Sequence, residues 1–336
     1  MHISLMTDSL GQISFEKMLD TAAMLGIETL EIPTGGYSSA PHMDIDRLLE
    51  SAEERKAYLR AIESRGLKLE TLNCNGNQLS PDETGRRDAE IVEKTFRLAA
   101  EFGVKKIAMM SGLPGGGPDA KYPNWVICCW PPVMLKMMQY QWEDVGIPYW
   151  EKTVKLAEQY GIEKIALEIH PTGIVYNVPT LLRLRNAVGP MIGANIDPGH
   201  QFFMGMDPLE TAMALGKEGA IYHVHAKDTH LEKHVCDLNG KHEAAPYLST
   251  PAYERSWPYC ALGYGHDVFW WKRFIMVLTQ MGYDGAMSLE IEDVVMPSVV
   301  ALSKSVDLLK EAIPRVYNRD LPEELLRING LGFAID

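Results

Sequence analysis

Paired cysteines, long apolar runs and an excess of basic side chains are all missing from this sequence of 336 residues. Each absence removes a class of protein. The five cysteines, Cys74, Cys128, Cys129, Cys236 and Cys260, are odd in number and show no C-x-x-C spacing, which argues against a disulfide framework, a redox motif or a thiolate zinc site. Reduced thiols and a cytoplasmic location are expected, with the adjacent Cys128 and Cys129 as packing residues. No stretch approaches the roughly 18 apolar residues that cross a bilayer. The opening MHISLMTDSL carries no basic segment followed by an apolar core and a cleavage site, so neither export nor membrane attachment is expected. Lys and Arg number 32 against 45 Asp and Glu, a formal net charge of −13, which argues against nucleic acid as partner because phosphate binding relies on clustered cations. No G-x-G-x-x-G follows an apolar run; Gly112-Leu-Pro-Gly-Gly-Gly117 has the wrong spacing for a dinucleotide turn.

What is present is a well-filled apolar inventory. At 46% hydrophobic and 23% charged, the composition excludes a disordered chain and supports a large core. Short runs rich in Ile, Leu, Val and Met predict strands over residues 2–7, 29–32, 68–73, 105–110, 164–169, 192–196, 220–226 and 286–291. Between and after them, helical spacing predicts helices over 14–25, 45–65, 86–102, 132–160, 178–187, 208–215, 267–280 and 297–312. Gly26, Gly66, Gly103, Gly161 and Gly282 stand where a helix yields to the next strand. Continuous apolar strands with helical crossovers imply a parallel sheet covered by helices, and eight such units suit a single closed (β/α)8 barrel over residues 1–313. Residues 314–336 form a C-terminal extension whose Leu325, Leu326, Ile328, Leu331 and Phe333 are expected to dock on the barrel or on another subunit. Two connections, 111–131 after the fourth strand and 227–266 after the seventh, are long enough to cover a substrate or to elaborate the surface.

Chemistry-bearing residues gather at the ends of the later strands. Glu168 and His170 are two apart and share a face of the fifth strand. Asp197 closes the sixth and is followed by Pro198, Gly199 and His200, a turn that can return the imidazole to the carboxylate. His223, His225 and Lys227 share a face of the seventh strand with Asp228 just beyond, and Glu290 and Glu292 share one on the eighth. Each alone has a plain structural explanation as a solvated end, a turn cap or a core histidine. Jointly, Glu168, Asp197, His225 and Glu290 place three carboxylates and an imidazole on one rim. Carboxylates so crowded repel unless a cation lies between them. That donor set suits one divalent metal, Mn2+ first, with Mg2+, Co2+ or Zn2+ also compatible.

These features resemble the sugar isomerase/epimerase group of the xylose-isomerase-like barrel superfamily. The likeness is carried by the segments 31–37, 73–77, 111–117, 165–171, 195–200, 223–228 and 289–293, spread over residues 1 to about 312. It implies metal ligation by Glu168, Asp197, His225 and Glu290, with Glu168 and Glu290 also exchanging protons with the sugar. It also places His200 beside the substrate, where Lys227 and Asn77 are expected too. Departures exist: Asn75 and Ser80 stand where relatives often carry histidine, and Gly199 and Gln201 replace a commoner Ser and an apolar residue. They bear on substrate identity more than on metal binding.

The implied chemistry is removal of a proton next to a carbonyl, with Glu168, His170 and Glu290 as candidate bases. An isomerase or epimerase acting on a keto sugar or 3-oxo-glycoside is the leading expectation. The sequence also resembles the catalytic subunits of C-glycoside deglycosidases, in which the same proton loss expels the C1 substituent and a small β-sandwich subunit is the partner. A small-molecule sugar or glycoside substrate and an oligomeric state are expected. A DNA-repair endonuclease is disfavoured by the charge, and a catalytically silent carbohydrate-binding barrel is the remaining alternative.

Overall fold

Eight parallel strands close into a barrel in this computed structural model, which describes residues 1–315. In chain order the barrel strands are β1 (His2–Met6), β2 (Thr29–Pro33), β3 (Lys68–Asn73), β4 (Lys106–Met110), β5 (Lys164–Glu168), β6 (Ile192–Ile196) and β7 (Ile221–Ala226). A short antiparallel pair, β8 (Asp228–Thr229) and β9 (Tyr259–Cys260), stands outside the barrel, and β10 (Ala286–Leu289) closes it between β7 and β1. All eight expected strands are present to within two residues at each end, and the expected barrel is the observed fold. The expected docking of the apolar extension falls at residues 316–336, outside the described residues.

The helices follow capping chemistry more closely than the apolar pattern suggests. The expected helix over 45–65 is two, α2 (Ile45–Glu50) and α3 (Ala52–Glu63), because Ser51 turns extended and its hydroxyl accepts from the Glu54 N–H. The helix expected over 132–160 is likewise divided. A π-helical turn at Tyr140–Gly146 separates α5 (Val133–Gln139) from α6 (Ile147–Gln159), next to Pro148, which has no N–H to give the preceding turn. At Gly26 and Gly103 the chain leaves a helix with φ of 79° and 70°, a region that penalises any residue with a Cβ. Cys128 and Cys129, expected inside, are exposed.

Alternation along the strands separates two environments. Leu30 and Ile32 lie in the apolar layer between barrel and helices, with Ile165, Leu167 and Ile169 from the fifth strand. Glu31, between the first two, faces the barrel centre and meets His223 across it. Among the described residues no helix is long and apolar enough to cross a membrane.

Candidate functional site

The strand ends expected to converge do so. One donor atom from each of Glu168, Asp197, His225 and Glu290 lies within 4.8 Å of the others. Register explains the placement: Glu168 ends β5, Asp197 follows β6, His225 is the penultimate residue of β7 and Glu290 follows β10. Asp197 also caps the helix Pro198–Met204, its Oδ1 accepting from the Gly199 N–H at 2.8 Å. That short helix, read as a turn from sequence, points His200 back at the rim.

His225 is held from behind. Its Nε2 lies 3.1 and 3.2 Å from the two oxygens of Glu31, while Nδ1 faces Glu290 at 3.0 Å, Asp197 at 3.6 Å and Glu168 at 3.7 Å. Glu31 is itself saturated by His223 at 2.7 Å, Asn73 at 2.7 Å and Ser288 at 2.6 Å. Burial alone would raise the Glu31 carboxyl, but His225 and His223 hold it well below the ordinary carboxylate range. An ionised Glu31 only accepts, so it fixes the imidazole with Nε2–H inward and Nδ1 toward the rim. A carboxylate orienting an imidazole from behind is a recurrent support of metal-binding histidines.

The rim has an excess of acceptors. Asp197 Oδ2 and His225 Nδ1 are buried without a hydrogen bond. Burial acts against a charged His225, yet Glu31 and Glu290 draw its pKa well above the usual imidazole value, a sign of how strongly this site favours positive charge. Three carboxylate oxygens and an imidazole nitrogen facing one another in this way fit a divalent cation by their chemistry.

The remaining expected residues divide. His200 donates through Nε2 to Glu168 Oε1 at 2.7 Å, and its Nδ1 accepts from the Tyr259 hydroxyl at 2.8 Å. Lys227 is buried, 3.1 Å from Glu290, in contact with Glu292 and 4.2 Å above the Tyr259 ring. Burial would depress the Lys227 ammonium, but Glu290 and Glu292 hold it well above the ordinary lysine value. Glu290 is lowered in turn: burial is outweighed by Lys227 and His225. His170 packs edge-on to His200 with ring centres 4.3 Å apart, and its Nδ1 accepts from the Thr172 N–H and lies 2.7 Å from the Thr172 hydroxyl. Burial, and then the neighbouring His200 imidazole, push it down to about 3, so it is neutral near pH 7. Asn77 lies away from this group. Its amide is bonded to Leu113 on both sides, at 3.1 and 2.7 Å, and ties two loops together. Asn75 reaches the site instead, donating to Glu168 Oε2 at 2.6 Å.

Above the rim lies a cavity of about 450 Å3. Its floor includes Glu168, His200, Lys227 and Glu290, and its roof comes from the long connection after β7, through Tyr247, Arg255, Trp257 and Tyr259. A carboxylate clasps both ends of that roof. Asp228 accepts from the N–H groups of Thr229, Gly263, Gly265 and His266 and pairs with the His266 ring at 2.8 Å. The other long connection meets the roof where Trp125 lies 5.9 Å from His242. Glu31, Asn75, Arg255 and Tyr259 had no role assigned from sequence; only Glu31, a charge inside an apolar strand, carried a readable signal.

Residues 19–312 match the family described as xylose isomerase-like TIM barrel. YfiH of Bacillus subtilis (strain 168), described as an uncharacterized protein, is 51% identical over 315 residues, covering 93% of this chain and 99% of YfiH. Among solved structures, the IOLI protein with a bound zinc atom superposes with a TM-score of 0.62 at 17% identity, over 95% of this chain and 100% of its own. A D-tagatose 3-epimerase-like protein does so with a TM-score of 0.62 at 20% identity, over 93% and 97%. The chain belongs to the xylose isomerase-like TIM-barrel family.

Proposed function

We propose that this chain is a divalent-metal-dependent enzyme that removes a proton next to the carbonyl of a keto sugar or 3-oxo-glycoside, acting as an isomerase or epimerase. The observation that carries this reading is the meeting of Glu168, Asp197, His225 and Glu290 with two of their donor atoms buried and unbonded. These four would hold the ion, Mn2+ first and Mg2+, Co2+ or Zn2+ as alternatives. When bound, it would polarise a carbonyl and the adjacent hydroxyl and so acidify the C–H of the carbon bearing that hydroxyl. A zinc-bearing protein and an epimerase-like protein among the fold relatives support the same reading.

The side chains supply the proton handling. Glu168 and Glu290 line one cavity, so one carboxylate can take the proton and the other return it to another face or carbon. His200, oriented by Tyr259, fixes Glu168 by the bond to Oε1. Lys227, paired with Glu290 and Glu292, keeps Glu290 ionised and has a third N–H to give to a sugar oxygen. His170, with its Nδ1 committed to Thr172, offers Nε2–H as a neutral donor in preference to acting as base.

The test is deuterium exchange into a panel of ketohexoses in D2O by the metal-loaded protein, followed by NMR. Exchange next to the carbonyl is expected, and Glu168→Gln or Glu290→Gln should slow it by about 10^3-fold. Wild-type exchange in either variant would remove that residue from the acid/base role.

An apolar cavity of about 410 Å3 favours a second outcome. It borders the polar cavity through His170, Glu243, Trp257 and Tyr259, giving room for an aglycone. Loss of the C2 proton from a 3-oxo-C-glycoside could then expel the C1 substituent with its bonding electrons, to be protonated on leaving, with a small β-sandwich subunit as partner. Release of free aglycone from such a glycoside supports this outcome; an epimer with its linkage intact supports the first.

A further inference from the structure

We infer that the substrate of this cavity carries an anionic group, a carboxylate or a phosphate, and that Arg255 receives it. The inference rests on the proposed reading of the cavity as a keto-sugar site.

Arg255 lies in the roof and lines the cavity, yet it is only 2% exposed. Its guanidinium lies 3.8 Å from the centre of the Tyr247 ring and 5.0 Å from that of Trp257. A guanidinium offers several N–H donors in a rigid planar fork. Its hydrogen bond among the described residues runs from Nη1 to the Tyr247 carbonyl at 2.8 Å. Nε is buried without a partner. The nearby Glu243 carboxylate accepts from the Ser256 N–H instead, and no ion pair to Arg255 forms among the described residues.

Lys227 in the same cavity provides the contrast. Its charge is already committed to Glu290 and Glu292. Arg255 is the cation left uncompensated, and a buried cation is tolerated at low cost only when an anion pairs with it. A planar fork with spare donors matches a carboxylate or a phosphate, each of which can accept two parallel hydrogen bonds. The arm is also pre-set. The Tyr247 hydroxyl accepts from the Tyr259 N–H at 3.1 Å and donates to the Glu292 carbonyl at 3.2 Å, which holds the ring under the guanidinium. Asp8, Glu168, Glu243, Glu290 and Glu292 also line the cavity and repel an anion, and of these only Glu243 acts closely on Arg255, without bonding to it. The charged end of a substrate is therefore directed to Arg255 and the carbonyl end to the rim.

The test compares binding of D-fructuronate, D-fructose 6-phosphate and neutral D-fructose to the metal-loaded full chain by calorimetry. At least one anion should bind about tenfold tighter than D-fructose. Preference for fructuronate assigns a carboxylate, and preference for the phosphate ester assigns a phosphate. Arg255→Met should erase the preference while leaving D-fructose affinity within about twofold, which a purely structural arginine would not do. If Arg255→Met fails to fold, Arg255→Lys decides: a preference cut at least threefold supports the assignment, and an unchanged one overturns it. Equal affinity for charged and neutral sugars, or no binding of either anion, also overturns it. Proton exchange in D-fructose without any anion preference would sink this inference and leave the proposed function standing. Arg255-dependent anion binding without exchange would do the reverse.

Discussion

The two mouths of the barrel treat their carboxylates in opposite ways. At the N-terminal mouth the carboxylates are paired, while Lys164 lies over the Tyr222 ring and Lys68 has no ion pair among the described residues. Glu70 is shared between His2 at 2.6 Å and Lys106 at 2.8 Å, Lys105 meets Glu163 at 2.5 Å, and the chain's amino group meets Asp284. At the C-terminal mouth three carboxylates face one another, Asp197 Oδ2 and His225 Nδ1 are left unbonded, and a buried arginine has donors to spare. Paired carboxylates at one end leave no crowded acceptors for a cation to join. Unbalanced charge at the other makes it receptive, at some cost to the stability of the protein alone.

Glu31 stands between the two and should show the largest effect of any single change. Glu31→Gln removes the acceptor shared by His223, His225 and Ser288, and breaking a buried ionic network of this kind costs about 3–5 kcal/mol. Denaturant unfolding should show that loss, and metal affinity should fall by about 10–100-fold as His225 is released. Unchanged stability would mean that the interior network is not a support of the rim.

Asp197→Asn sharpens the contrast from the other side. The amide oxygen can still cap the helix through Gly199, while one of the crowded charges disappears. The variant in chelator should melt at or above the wild-type temperature. Wild-type protein should gain about 2–3 kcal/mol from a metal at a hundred times its dissociation constant, and the variant much less. Equal metal-induced shifts in melting temperature would remove Asp197 from the ligand set.

The smallest effect belongs to the paired mouth. Burial works against an ionised Glu70, but His2 and Lys106 hold its carboxyl well below the ordinary glutamate range. A depressed folded pKa adds stability above the unfolded value, and that share is lost as pH falls through the acid range. Glu70→Gln should therefore lie about 1–2 kcal/mol below wild type at pH 7, with the gap narrowing below about pH 4. A gap that does not depend on pH would show that packing, rather than charge, sets the effect.

How far the sequence discloses this molecule follows from where regular periodicity holds. Glu168, Asp197, His225 and Glu290 stand out because each closes or interrupts an apolar strand, and a parallel barrel brings such ends together. Glu31 is equally central, but its partner His223 lies 192 positions along the chain, a distance that no local pattern encodes. Asn75 and Asn77 occupy the same turn, and only the folded backbone determines which amide reaches Glu168 and which ties down Leu113. Arg255 and Tyr259 belong to an irregular connection without periodicity, so their common direction appears only in three dimensions. The breaks at Ser51 and beside Pro148 are written in capping and proline chemistry, which the apolar spacing alone passes over.

The clasp at Asp228 bears on how such a protein can diversify. Because one carboxylate anchors both the departure and the return of the chain between Thr229 and His266, the intervening span can lengthen, shorten or change its aromatic content without moving the strand ends beneath it. Descendants of one scaffold can thus exchange what they recognise while inheriting how they react. Residues 230–262 are the place to look for that divergence.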